Sequence, residues 1–191
     1  RLGSNSLVLS IVAGINADSL AALLGLSDAG CIIRCMPNTP ALVGEGMTGL
    51  YANKESGSAE AKVLAERVMS SVGQCIWVES ESDLDVITAI SGSGPAYFFL
   101  FIESLTDAAI ALGMDSESAR KLALQTALGA SRLASLSSED AATLRKNVTS
   151  PGGTTEQAIQ AFEASDIRGI VVQATQAAAR RSVELSKEFG V

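Results

Sequence analysis

The stretch Ser-Pro-Gly-Gly-Thr-Thr at Ser150–Thr155 joins two segments that both read as helix. A turn needs one Pro-Gly pair and a helix cap needs one threonine, so the second glycine and the second threonine exceed what a linker requires. Gly152 and Gly153 can turn the backbone so that successive N–H groups converge. Thr154 can cap the helix that follows, with Gln157 completing a capping box. Free N–H groups at the positive end of a helix favour a carboxylate or a phosphate. Only Arg145 and Lys146 are basic nearby, which favours the carboxylate. The plainer alternative is a Pro-Gly turn before a capped helix, and the surplus residues weigh against it.

Three other stretches could line a site. Arg34–Pro40 (RCMPNTP) ends a strand-like run with two prolines around Asn38-Thr39. It reads as an ordinary rigid loop or as one wall of a crevice at a strand's carboxyl end, where ligands sit in open α/β sheets. Ser10–Ile15 (SIVAGI) ends a strand in the same way, and Ala13-Gly14 would let a flat ring lie close to the backbone; a simple strand-to-helix turn fits equally well. Ser91–Pro95 (SGSGP) puts backbone N–H groups at a helix start, but close packing of small residues is the better account. Gly44–Gly49 (GEGMTG) matches a dinucleotide fingerprint literally. That motif must follow a strand and open a helix, whereas this one leads into a strand-like run, so turn glycines explain it better.

The inventory excludes much. The 191 residues include no histidine, which removes a histidine base and histidine metal sites. Cys31, Cys35 and Cys75 are an odd count without CxxC spacing, against a disulfide framework or zinc and in favour of a cytoplasmic protein. The sequon at Asn147–Thr149 is then chance. A net charge of −7 with few aromatics argues against nucleic acid. The most apolar run, Ala96–Ile102, is shorter than the ~20 residues of a membrane span.

These stretches must be positioned by two kinds of region. Up to Ser80, strand-like runs (Ser6–Gly14, Cys31–Asn38, Gly46–Asn53, Gln74–Glu79) alternate with helical patterns at Asn16–Gly25, capped by Asp18 or Ser19, and at Ser58–Gly73. From Glu81 onward the pattern is helical, rich in alanine and glycine. The predicted fold is therefore α/β over 1–80 followed by all-α over 81–191.

SIVAGI, RCMPNTPA, TAISGSGPAYFF and NVTSPGGTT, in this order and spacing, closely resemble pyrroline-5-carboxylate reductase, over essentially the whole chain. The resemblance implies the later part of a Rossmann domain binding NADPH or NADH, then a helical domain that forms a homodimer, with higher assemblies open. It also implies an active site between the two domains. The family's first strand and Gly-rich turn have no counterpart here, so the expectation is that they lie upstream of Arg1. This stretch alone would then be a dimerisation and substrate-binding module rather than an active enzyme.

Carried over by resemblance, Ala13 and Gly14 adjoin the nicotinamide and Met36, Pro37, Asn38 and Thr39 flank it. Asn147 lies near the cofactor, and Glu81 contacts the substrate region. Ser150, Gly152, Gly153, Thr154 and Thr155 form the substrate loop, with Thr154 or Thr155 bonding the ring nitrogen. The implied reaction, the last step of proline biosynthesis, reduces a cyclic imine that bears a carboxylate, and it needs neither metal nor histidine. A β-hydroxyacid-type dehydrogenase is a weaker alternative, because Lys121 and Lys146 do not sit in that family's lysine motif.

Overall fold

The computed structural model describes residues 6–26, 32–53 and 58–189. It divides into two compact units, residues 1–95 with 173–191, and residues 96–172.

The first unit is built on a four-stranded mixed sheet, β1 (Val8–Ser10), β2 (Ile32–Met36), β3 (Gly46–Ala52) and β4 (Gly73–Trp77), in that spatial order. The β1–β2 and β3–β4 pairs are parallel, and β2–β3 is antiparallel. Strand β2 is buried on both faces although Arg34 stands in the middle of its run. One face sends Ile33 and Cys35 into a core with Leu50 of β3 and with Ala65 and Met69 of α2 (Ala59–Met69). The other face packs Ile32 against Ala17 and Ala21 of α1 (Ala17–Leu24). Cys31, predicted to open β2, lies outside the described residues.

The cap of α1 differs from the sequence reading. Asn16, rather than Asp18 or Ser19, is the N-cap; its side-chain oxygen accepts from the Ser19 N–H at 2.7 Å. Asparagine is as good a cap as either, and the helix starts two or three residues earlier than those caps would place it. Gly25 ends α1 with φ 65°, as expected. The literal GxGxxG opens no helix: Gly44 ends a 3-10 turn over Thr39–Val43, and Gly46–Gly49 enter β3.

After β4 come α3 (Asp83–Ile87), a π-helical turn at Thr88–Gly92 and α4 (Gly94–Ala111). The helical path therefore runs on through the glycines of SGSGP, where the sequence reads as a helix start. Taken together, Asp83–Ala111 spans 29 residues and contains an 18-residue window of mean hydropathy 1.3, enough by length and composition alone to cross a membrane, a test that the core helix of a soluble protein also passes.

The second unit holds most of α4, then α5 (Ser116–Leu136), α6 (Ala141–Asn147), α7 (Thr154–Ala164) and the start of α8 (Ile167–Phe189). Asp115 and Asp140 cap α5 and α6, and the hydrogen bonds they accept hold both carboxyls below their usual range. Little is buried here beyond Ala119 and Ala123.

Candidate functional site

The parallel pairing of β1 and β2 brings their carboxyl ends to one edge of the sheet. Ala13-Gly14 follows β1, and Pro37–Thr39 follows Met36, the last residue of β2, so two predicted stretches meet at that edge. Because β3 runs antiparallel to β2, its first residues return there as well. Asn38 ties these pieces together: its Oδ1 accepts from the Met47 N–H at 2.9 Å, and its Nδ2 donates to the Ser91 carbonyl at 3.1 Å. Gly92 sits so close to Met36 that an added Cβ would stand 2.8 Å from the methionine methyl. SGSGP thus contributes close packing, as read, and also an anchor for Asn38 that the sequence did not reveal.

Gly14 has φ 78°, a conformation glycine adopts without cost, and a Cβ there would meet Leu185 of α8 at 3.3 Å. Around the same edge Ile11, Val12, Leu42 and Val43 are exposed, Leu42 by 89%. Apolar residues thus rim the carboxyl ends of these parallel strands, where ligands sit in open α/β sheets.

Glu81 lies beyond β4, just before α3. Its Oε1 accepts from the Ala17 N–H at 2.7 Å and from Arg34 Nη1 at 3.1 Å. Arg34 carried no role of its own in the sequence reading. A charged residue in the middle of a doubly buried strand was the signal that could have singled it out.

In the second unit, the loop Ser150–Gly153 leads directly into α7. Gly153, not Thr154, is the N-cap and carries no side chain to satisfy the helix start. The predicted capping box is therefore corrected. Thr154 and Thr155 are the first two helical residues, and Glu156 reaches back so that its Oε2 accepts from the Gly152 N–H at 2.8 Å. The glutamate is at the position a capping box uses, and Gln157 is one residue too far along. Gly152 has φ 71°, and the Gly153 N–H donates to the Ser150 carbonyl at 3.0 Å. The first helical bond runs from the Gln157 N–H to the Gly153 carbonyl, so the amides of Thr154 and Thr155 precede the helical ladder. Those amides and the two hydroxyls suit a small carboxylate. Asn147, the last residue of α6, donates from Nδ2 to Glu139 Oε2 at 3.0 Å.

The same unit carries an open groove of about 530 Å³ lined by Phe101, Ile159, Phe162, Ile167 and Val171, beside Arg145 and the Glu163–Arg168 ion pair. The Phe101 and Phe162 rings lie 6.1 Å apart.

Comparison with known proteins gives this geometry its context. Residues 81–185 match the family model described as pyrroline-5-carboxylate reductase dimerisation. The pyrroline-5-carboxylate reductase of Pseudomonas aeruginosa is 47% identical over 189 residues, covering 99% of this chain and 68% of that protein. A structure of a pyrroline-5-carboxylate reductase from Coxiella burnetii superposes with a TM-score of 0.90 at 45% identity, over 96% of this chain and 67% of that one. The Plasmodium falciparum pyrroline carboxylate reductase, solved with NADP bound, gives a TM-score of 0.84 at 36% identity, over 96% of this chain and 72% of that one. The chain belongs to the pyrroline-5-carboxylate reductase family.

Proposed function

We propose that the protein reduces 1-pyrroline-5-carboxylate to L-proline with NADPH or NADH, in the cytoplasm, as a homodimer. The observation that carries the reading is the start of α7, two threonines on a helix end whose cap is glycine, in a chain of this family. The amides of Thr154 and Thr155 hold the substrate carboxylate, with Ser150, Gly152 and Gly153 shaping the loop. A threonine hydroxyl accepts a hydrogen bond from the protonated ring nitrogen, and solvent supplies that proton. The nicotinamide, when bound, supplies the hydride. Ala13 and Gly14 on one side, and Met36, Pro37, Asn38 and Thr39 on the other, form its binding edge, with Asn147 near the cofactor. Catalysis then rests mainly on holding two rings in a reactive geometry.

The homodimer reading rests on the apolar residues exposed on the helices, among them Phe98, Phe99, Leu122 and Leu128, and on the dimerisation family matched. We assign residues 1–80 to the cofactor region and 81–191 to the dimerisation and substrate region.

The test is Thr154→Ala and Thr155→Ala in protein expressed from its whole coding frame. Losing a hydrogen bond to the reacting ring should lower turnover about tenfold or more while the melting temperature holds, because neither threonine is the cap. Full activity in both variants would make the loop a structural turn.

A further inference from the structure

Glu81 and Arg34 are both described by contacts that converge on one oxygen atom. Glu81 Oε1 accepts from Ala17, the first residue of α1, and from Arg34 of β2. Ala17 lies three positions beyond Gly14 on the connection from β1. Arg34 lies three positions before Pro37 and is in register with Ser10, the last residue of β1. One carboxylate oxygen thus holds the Ala17 backbone amide behind one stretch and the Arg34 side chain, rooted in β2, behind the other.

The arrangement is a poor one for stability. The Arg34 side chain is 11% exposed, and it gives Glu81 a single hydrogen bond rather than a bidentate fork. Its Nε is buried with no hydrogen-bond partner among the described residues. A buried cation with an unmet donor costs more than an apolar side chain of similar size would. Tyr51, opposite Arg34 across the β2–β3 pair, has its hydroxyl pushed up by burial first and then by the carboxylates of Glu81 and Asp18, so it adds no third negative charge.

We propose that Arg34 and Glu81 are positioning residues for the nicotinamide cofactor, their ion pair and the Ala17 amide fixing the Ala13-Gly14 stretch against the Met36–Thr39 stretch. This rests on the reductase reading above, and it moves Glu81 from a substrate contact to a residue that acts through its neighbours.

The experiment uses the protein from its whole coding frame, as wild type, Arg34→Met, Arg34→Lys, Glu81→Ala, Glu81→Gln and the Arg34→Met/Glu81→Ala double variant. Three quantities are read: the NADPH dissociation constant by fluorescence titration, KM for the imine, and hydrogen exchange of the Ala17 amide in cofactor-free protein. Arg34→Met and Glu81→Ala should each weaken NADPH binding about tenfold, with the double variant no worse than either. KM for the imine should stay within about twofold, and the Ala17 amide should exchange faster in Glu81→Ala. Arg34→Lys and Glu81→Gln, which keep a donor and an acceptor, should recover most of the affinity. Unchanged NADPH binding in an active enzyme would overturn the proposal, whether imine KM rises or only the melting temperature falls. A wild type that neither binds NADPH nor reduces the imine would instead sink the reductase reading, and this proposal with it.

Discussion

The sheet unit and the helical unit solve burial in opposite ways. The sheet closes a core of its own: Ile33 and Leu50 are fully buried, and helices cover both faces of β2. Helix α5, at 21 residues, buries Ala119 and Ala123 while Leu122, Leu128 and Leu133 are each more than half exposed. Apolar exposure on that scale marks a surface meant for another chain. One region buries its apolar residues in its own core, whereas the other leaves leucines exposed in a stretch that matches a dimerisation family.

Substitution separates the two most sharply at their centres. Leu50→Ala should destabilise the sheet unit by about 2–5 kcal/mol, the range for a large-to-small change in a closed core, measured by urea denaturation. A cost below ~1 kcal/mol would mean that the core is looser than the burial of Leu50 implies. On the helical side, Leu128→Arg should leave the sheet intact but weaken self-association about thirtyfold or more, as for a central interface residue, seen as halved mass by light scattering. The matching change at Leu42, which is also exposed but sits in the sheet unit, should leave the mass unchanged. Equal masses for both variants would erase the distinction.

Helix starts make the same comparison on a smaller scale. Asn16→Ala removes the side-chain cap of α1 and should lower stability by about 1 kcal/mol. Thr154→Ala removes no cap and should leave the melting curve in place. A matching loss in both would restore Thr154 to a capping role.

The smallest effects concern the cysteines. Burial first, and then Cys75, pushes the Cys35 thiol up to about 11 from its ordinary 9.0. The unfolded thiol ionises first, so its contribution to stability is complete below pH 9 and is lost as pH rises towards 11. Cys75, half-buried, should react with a thiol reagent before Cys35 does. Cys35→Ser should remove that alkaline loss, and an unchanged alkaline limb would assign it elsewhere.

How much of this was legible beforehand follows the same division. The strands and most helices could be read because apolar periodicity and glycine stops are local signals; β2, α2 and the Gly25 stop are examples. The π turn at Thr88–Gly92 could not, since glycines normally break a helix and only the packing of Gly92 on Met36 explains their survival there. The surplus glycine and threonine of Ser150–Thr155 stand out in the sequence, but the cap does not, because Glu156 and Gln157 are both capping-box residues and only the backbone decides between them. Arg34 was invisible as a partner of Glu81 because 47 positions separate them and no local pattern links the two. The exposure of the α5 leucines could not be read, since their helical spacing fits an internal core as well as a shared one.

The most direct test of the whole account is nicotinamide oxidation by the protein from its whole coding frame, followed by absorbance with 1-pyrroline-5-carboxylate as the varied substrate and proline quantified as product. The account predicts saturable oxidation of NADPH or NADH with one proline formed per cofactor consumed. A folded, dimeric preparation that oxidises neither cofactor at saturating imine would contradict it.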